Sequence, residues 1–400
     1  MITSGSCLGV ERSLVMSSPT IPALATSVSV TLTGTGSFQP ETSVTNAEML
    51  ERLHPARPDG RLIEPEWIDR HLGIYERRLD YDFARDHKRT RAEGGLYDGD
   101  MAARAARAAL DDAGIDSGEV DIVVHVTTTP DTLACGDHFR FLTTELGLRR
   151  DVELVHHNVG CAGLAPAFRT AASSLIAQSP ATALVVASNC PSGYFGSDML
   201  PHYTSHPSGL AWVSAFMFAD GAGAAVLRSQ PVDPEAPTRG LLSARYETSP
   251  DIELVTYPAG GCLARTRIEN LGDHLFVMDA RRVAEVFAPL MRRDFDMLQE
   301  DWPVAVKPAV GRDFAIDAVD RWYMHQANGV VVREAIRLLE LPPERVPISV
   351  DHYGNTSAAC TLVLLDEDRR AGRVAEGDLL TFLWIGAGNG AMNGCATMVL

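Results

Sequence analysis

Three short stretches of the 400-residue chain carry side chains that could do chemistry in concert. They are Asn158-Val159-Gly160-Cys161-Ala162-Gly163, His325-Gln326-Ala327-Asn328, and His352-Tyr353-Gly354-Asn355-Thr356-Ser357-Ala358-Ala359. Cys161 follows a strand-like run and a glycine and opens a helix of small residues. A thiolate there would face unpaired backbone N–H groups and the positive end of the helix dipole. That field is worth about 1–2 kcal/mol, which moves a free thiol from ~8.5 to ~7.5, while burial pushes it back up. The dipole alone does not make a nucleophile, so a base or hydrogen-bond donor is needed beside it. His325 ends an apolar run just before a helix, and Asn355 follows Gly354 in a turn. Singly, each has an ordinary structural reading: a small buried hydrophobe, a hydrogen-bonded core imidazole, a turn residue. Jointly they supply a soft nucleophile for an acyl group and two neutral donors for a developing oxyanion.

The elements that must position these residues come in two matching sets. Residues 27–32 alternate as a strand and break at Gly34-Thr35-Gly36, which reads as a turn. Residues 98–114 form an alanine-rich helix capped by Gly114. Strands follow at 120–126 and 152–157, then a small-residue helix at 162–177, a strand at 183–187 and a glycine-rich return at 218–227. The second half repeats this order: a helix at 281–298, a strand at 318–324, a helix after Asn328, a strand at 346–350, a Gly-Asn turn, a small-residue helix and a strand at 379–385. It closes on the glycine-rich turn 386–390. Strands alternating with helices imply parallel sheets covered by helices. Two such units in tandem give an α/β chain with a layered α/β/α/β/α core and a pseudo-two-fold axis that brings the three stretches to one pocket. The division is a disordered tail at 1–26, a nucleophile half at 27–228 and a His/Asn half at 229–400. Segments 77–97, 190–212 and 228–275 fit neither unit and read as insertions capping the site. His156 and His157 are strand neighbours, so only one can face a pocket, and both are read as structural. Pro166 is tolerable in the first turn of the nucleophile helix.

Composition narrows the functions. With 46% hydrophobic and 22% charged residues the chain can bury a sizeable core, which excludes disordered and fibrous classes. Lys+Arg 35 against Asp+Glu 52 gives a net charge of −17, so nucleic acid and anionic membrane are poor partners. No apolar run approaches the ~20 residues of a membrane span, and the first 25 residues lack the core of a signal peptide. Seven scattered cysteines without a Cys-x-x-Cys pair point to a reduced, cytoplasmic protein without a zinc or dithiol site.

The combination of Cys161, His-Gln-Ala-Asn and Gly-Asn-Thr-Ser-Ala-Ala resembles β-ketoacyl-acyl-carrier-protein synthase III of the thiolase-like condensing enzymes. The likeness extends through Gly34–Pro40, Glu66-Trp67-Ile68, Gly73–Arg77, Asp220–Val226 and the C-terminal glycine turn, about nine-tenths of the chain. It implies a thiolase fold, a homodimer, no resident cofactor or metal, and substrates carried on phosphopantetheine or CoA. By the resemblance, Cys161 takes an acyl group, and His325 and Asn355 hold the enolate formed when a malonyl-type thioester loses CO2. A second oxyanion hole is expected from backbone N–H groups at Cys161 and at Gly386 or Gly388. Asn328, Arg333 and Arg337 fall where carrier protein would dock, since Gly329-Val330 replace the family's docking arginine; Arg281 and Arg282 offer a further basic face. Trp67 is kept from the CoA adenine clamp, with His71 and Trp212 where arginines would stand, which favours a carrier-bound donor. Leu133-Ala134 replace a bulky aromatic that limits the acyl pocket from the partner subunit, which implies a larger acyl group. Two other readings stay open: acyl transfer from Cys161 to an alcohol or amine with His325 as general base, and a non-catalytic partner subunit of a true synthase. A decarboxylative condensation in fatty-acid or specialised polyketide biosynthesis leads.

Overall fold

The chain does not turn at Gly34-Thr35-Gly36. It runs on as one eleven-residue strand, β1 (Val28–Phe38). The glycines are there because the Asp98–Ala113 helix lies directly on the strand: a Cβ on Gly34 would sit 2.3 Å from Ala109 O, and one on Gly36 2.3 Å from Ala105 O. The helix presents small residues for the same reason, with Ala102, Ala105, Ala106 and Ala109 fully buried, and it ends as expected at Gly114 in the left-handed region at φ 64°.

This computed structural model describes residues 27–53, 59–132, 138–194, 198–205, 211–233, 235, 238–258, 276–388 and 390–400. The expected tail at 1–26 lies outside them, as do parts of the insertions 190–212 and 228–275. After β1 come β2 (Ser43–Thr45), β3 (Glu76–Arg78), β4 (Ile122–Val126), β5 (Glu153–His157), β6 (Thr182–Asn189) and β7 (Gly221–Pro231). They are followed by β8 (Gly240–Ser249), β9 (Val255–Pro258), β10 (Phe276–Met278), β11 (Arg321–Met324), β12 (Leu379–Ala387) and β13 (Ala391–Val399).

Two sheets carry the fold, in the orders β1-β7-β6-β4-β5 and β11-β12-β13-β8. They are mixed, which corrects the all-parallel expectation. Only β4–β5, β4–β6 and β11–β12 run parallel, while β7 and β13 are returns antiparallel to both neighbours. The glycine-rich return at 218–227 runs into β7, whereas the glycine-rich turn 386–390 spans the end of β12 and leads into β13. In the first half β7 ends at Pro231 and in the second β8 starts at Gly240, so the division placed after residue 228 falls inside the last residues of β7. Sheet order matches element for element (β1 with β8, β7 with β13, β6 with β12, β4 with β11), but β5 has no counterpart among the described residues.

The missing strand is the one expected at 346–350. Pro347 has no N–H to give a ladder, and the neighbouring polar groups are satisfied from the side: Ser349 N donates to Gln326 Oε1 at 3.2 Å and Gln326 Nε2 to Pro347 O at 3.5 Å. The chain there runs irregularly into a short helix at Val350–Tyr353.

The layers follow from which helices meet which strands. Leu164–Gln178 packs on β4 and β6 from one side and on β8 and β13 from the other, and Cys360–Arg370 packs on β1, β7 and β11. Both helices are therefore sandwiched between the sheets, where Phe168, Leu175, Leu362 and Leu365 are fully buried with Phe382 and Trp384. Asp98–Ala113 covers the outer face of the first sheet and Ala280–Asp301 that of the second. The result is the expected α/β/α/β/α stack. Among the described residues no helix is long and apolar enough to cross a membrane.

Candidate active site

Cys161 sits in the turn between β5 and the Leu164–Gln178 helix, and glycines let the two halves of the chain close around it. Gly160 N donates to Ala387 O at 2.8 Å, which ties the nucleophile turn to the end of β12. A Cβ on Gly386 would lie 2.5 Å from Cys161 Cβ, so only glycine fits there. Pro166 is the third residue of its helix, where no intrahelical N–H partner is required.

The sulfur is buried but faces a cavity of about 630 Å³. Burial pushes the thiol up to about 11, while hydrogen bonds from Ser357, the Cys161 amide and Asn355 pull it down. Ser357 Oγ donates to Cys161 Sγ at 3.6 Å. Desolvation thus outweighs the lowering expected from the helix start, and the resting nucleophile is a thiol.

Asn355 is held from both halves. Its backbone N donates to Met217 O at 3.0 Å, and Ala219 N donates to its carbonyl at 2.9 Å. Gly354, at φ 76°, makes the bend that presents it. Its Oδ1 accepts from Ser357 N at 2.8 Å, and its Nδ2 donates to Ala327 O at 3.1 Å. His325 follows β11 and is buried; its Nδ1 lies 3.3 Å from Cys360 Sγ. Burial lowers its pKa to about 3, so the imidazole is neutral. Ser357 therefore bridges Cys161 and Asn355, its Oγ on the sulfur and its N–H on the carboxamide oxygen. His325 is linked to Asn355 through Ala327, two residues further on, whose carbonyl accepts from Asn355 Nδ2.

Other expected site residues are placed differently. Gly388 lines the cavity, but its N–H donates to Gly390 O at 3.0 Å, so that amide is already engaged. The Cys161 amide donates only toward its own sulfur among the described residues. Asn328 caps the Gly329–Leu338 helix, accepting from Val331 N at 2.9 Å, rather than facing a ligand. Trp67, His71 and Trp212 do cluster, but not as a clamp: His71 stacks on Trp67 at 4.1 Å and 18°, and Trp212 is buried at 1% exposure against Trp67 and Phe216. His71 covers a face that an adenine would need. On the docking side, Arg337 pairs with Glu334 at 2.6 Å, and Arg333 lies 3.5 Å from Asp351 beside Gly73. Leu133 lies outside the described residues. His156 and His157 bond Thr127 O and Thr170 Oγ1 and do not line the cavity.

Sequence reasoning missed Ser357, which touches the nucleophile; its place in the Gly-Asn-Thr-Ser run was the available signal. It also missed the cavity wall of Thr128, Thr129, Asn189, Tyr194, Asp251 and Glu253, which contains no Lys, Arg or His among the described residues. Tyr194, Asp251 and Glu253 belong to two of the insertions, Thr128 and Thr129 to the segment after β4, and Asn189 ends β6, none of them in a motif. Among the described residues no cluster of His, Cys, Asp or Glu is arranged to hold a metal ion.

A buried cysteine that opens on a cavity, set between two duplicated half-units, is the arrangement of a thiolase-fold condensing enzyme. Comparison with known proteins gives the family. Residues 312–400 match the model of the 3-oxoacyl-[acyl-carrier-protein] synthase III C terminal, and 98–231 that of the chalcone and stilbene synthase N-terminal domain. The chain is 30% identical over 380 residues to β-ketoacyl-[acyl-carrier-protein] synthase III of Novosphingobium aromaticivorans, covering 90% of this chain and 97% of that one. The Rhodospirillum rubrum protein of the same name is 29% identical over 357 residues, covering 89% and 95%. Among solved structures, 3-oxoacyl-[acyl-carrier-protein] synthase III from Aquifex aeolicus superposes with a TM-score of 0.70 at 23% identity, covering 93% of this chain and all of that one. OleA of Xanthomonas campestris, crystallised with lauric acid and lauroyl-CoA, gives 0.73 at 20% identity, covering 93% and 99%. The chain belongs to the β-ketoacyl-[acyl-carrier-protein] synthase III family and is a ketosynthase III-like condensing enzyme.

Proposed function

We propose that Cys161 takes an acyl group from a thioester and that the enzyme condenses it with a malonyl-type thioester with loss of CO2. The observation that carries this reading is a Cys161 sulfur that opens on the cavity and is tied through Ser357 to the Asn355 carboxamide, with His325 buried and neutral. In acylation the sulfur attacks the thioester carbonyl, the carbon–sulfur bond of the donor breaks, and the Cys161 proton ends on the departing thiolate. Donor and acceptor are both thiols, so the exchange needs no permanent base. In condensation the carbon–carboxylate bond of the malonyl group breaks, and the electron pair is held as an enolate by the Asn355 amide and His325. The enolate carbon then attacks the acyl carbonyl, the carbon–sulfur bond to Cys161 breaks, and the departing thiolate takes a proton from solvent to restore the resting thiol. Neutral donors suit this step because they stabilise the oxyanion without protonating the carbon, and losing one such donor typically costs about 10²–10³ in rate.

An imidazole with its pKa near 3 is a poor general base, which weighs against direct transfer to an alcohol or amine. A non-catalytic subunit has no use for a nucleophile opening on a cavity. The covered face of Trp67 favours a carrier-protein donor over CoA, with Arg333 and Arg337 as docking residues on an exposed helix. The homodimer is supported by β5, a sheet edge that carries Leu154 at 41% exposure. Intact-mass analysis after exposure to a panel of acyl carrier-protein and CoA thioesters tests the reading. An adduct that disappears in Cys161→Ala is expected; a thiol inert to every donor would refute it.

A further inference from the structure

Cys360 is buried at the start of the Cys360–Arg370 helix, and the catalytic scheme above makes no use of it. Its sulfur has three kinds of neighbour. Gln326 N donates to it at 3.4 Å, the backbone amides of Thr361 and Cys360 also point at it, and His325 Nδ1 lies 3.3 Å away. The sulfur's lone pairs are thus already met by N–H donors. What remains is one S–H hydrogen, and among the described residues the acceptor facing it is His325 Nδ1. Neither partner can change charge to escape this arrangement: burial pushes the thiol up to about 12 and lowers the imidazole to about 3.

We infer that Cys360 is a positioning residue that donates its S–H to His325 Nδ1 and so holds the imidazole in the tautomer carrying hydrogen on Nε2. Nε2 makes no hydrogen bond to the described residues, so it is the nitrogen left for substrate. In this tautomer it donates to an oxyanion and has no lone pair with which to accept a proton from an alcohol or amine. The inference rests on the condensation reading for its consequence, but the tautomer itself can be read without turnover.

The test uses full-length protein labelled with ¹⁵N-histidine, the His325 signals being assigned by their loss in His325→Gln. Solid-state ¹⁵N spectra should show His325 neutral with hydrogen on Nε2. Cys360→Ala should bring the Nδ1–H form to a comparable population, whereas Cys360→Ser, whose hydroxyl can donate in the same place, should restore the Nε2–H form. A wrong histidine tautomer can cost about 10⁴ in rate when it is locked. With both forms accessible, Cys360→Ala should slow CO2 release from malonyl carrier protein by a much smaller factor, in kcat rather than KM, with Cys161 acylation unchanged and Cys360→Ser near wild type. Nδ1–H in the wild type, or unchanged spectra and CO2 release in Cys360→Ala, would overturn the inference. If Cys360→Ala does not fold, Cys360→Ser with the Nδ1–H form does the same. Absence of CO2 release in wild type alongside the expected spectra would refute the condensation reading and leave the tautomer assignment standing.

Discussion

Alkylation of Cys161 should still be accelerating at about pH 10. Its thiol sits at about 11, raised by burial and lowered by Ser357, the Cys161 amide and Asn355. A group titrating there gains thiolate about tenfold per pH unit from ~7 to ~10, and carboxamidomethylation by iodoacetamide should follow, whereas an ordinary thiol at ~8.5 levels off by ~9.5. Ser357→Ala removes the hydroxyl that donates to Sγ at 3.6 Å. Hydrogen bonds to charged groups are worth about 1.5–3 kcal/mol, and a contact of this length belongs at the lower figure, or about one pKa unit. The variant should therefore react about tenfold more slowly at any fixed pH below ~10. Timed quenches read by intact mass, with Cys161→Ala to subtract the other cysteines, measure both effects. A wild-type rate that plateaus below about pH 8 would mean a resting thiolate, and would refute the claim that burial outweighs the hydrogen bonds.

Asn355→Ala should lower CO2 release by about 10²–10³ while Cys161 still accepts an acyl group; a loss under about threefold would remove Asn355 from the enolate site. In Gly386→Ala the new Cβ would meet Cys161 Cβ at 2.5 Å and Ala162 N at 2.8 Å. Overpacking of this kind costs about 1–3 kcal/mol, so thermal melting should show a lower Tm and mass analysis no acyl-enzyme; normal melting with normal acylation contradicts the contact. His325 has its folded pKa near 3, below the ordinary ~6.5, so the unfolded chain binds a proton that the native state refuses. Its contribution is present above about pH 6.5 and lost as pH falls toward 3, and His325→Gln should flatten the decline in urea midpoint over that window; parallel curves would show that His325 is not buried neutral. Because Asp251 and Glu253 stand on the cavity wall with no Lys, Arg or His beside them among its described residues, thioesters of neutral acyl groups should acylate Cys161 faster than those ending in a second carboxylate, and equal rates would mean these side chains do not face the acyl group.

How much of this was legible in sequence depended on whether the signal was local. Cys161, His325 and Asn355 stood out because each lies in a short run of distinctive residues; Cys161 and His325 follow strands and Asn355 a short helix, and of the three Cys161 lines the cavity. The alanine stripe of Asp98–Ala113 and its Gly114 cap were equally plain. Gly34 and Gly36 were misread as a turn because glycine serves close approach as readily as bending, and the helix that approaches them is some 70 residues away in sequence. The segment 346–350 has strand-like residues, yet Pro347 and a glutamine from another element decide its conformation. Parallel and antiparallel returns share the same alternation, so the mixed sheets were hidden. Asn328 and Trp212 belong to motifs associated with ligands but serve a helix cap and an aromatic core. Ser357 reaches the sulfur through backbone at φ 55°, a geometry no residue pattern announces.

The measurement closest to the central claim is CO2 release from malonyl carrier protein by enzyme already acylated on Cys161, with the product mass read in the same reaction. The account predicts CO2 in step with a 3-ketoacyl product two carbons longer than the loaded acyl group, and neither in Cys161→Ala. Loss of the acyl group to an alcohol or amine, with the malonyl group intact, would contradict it.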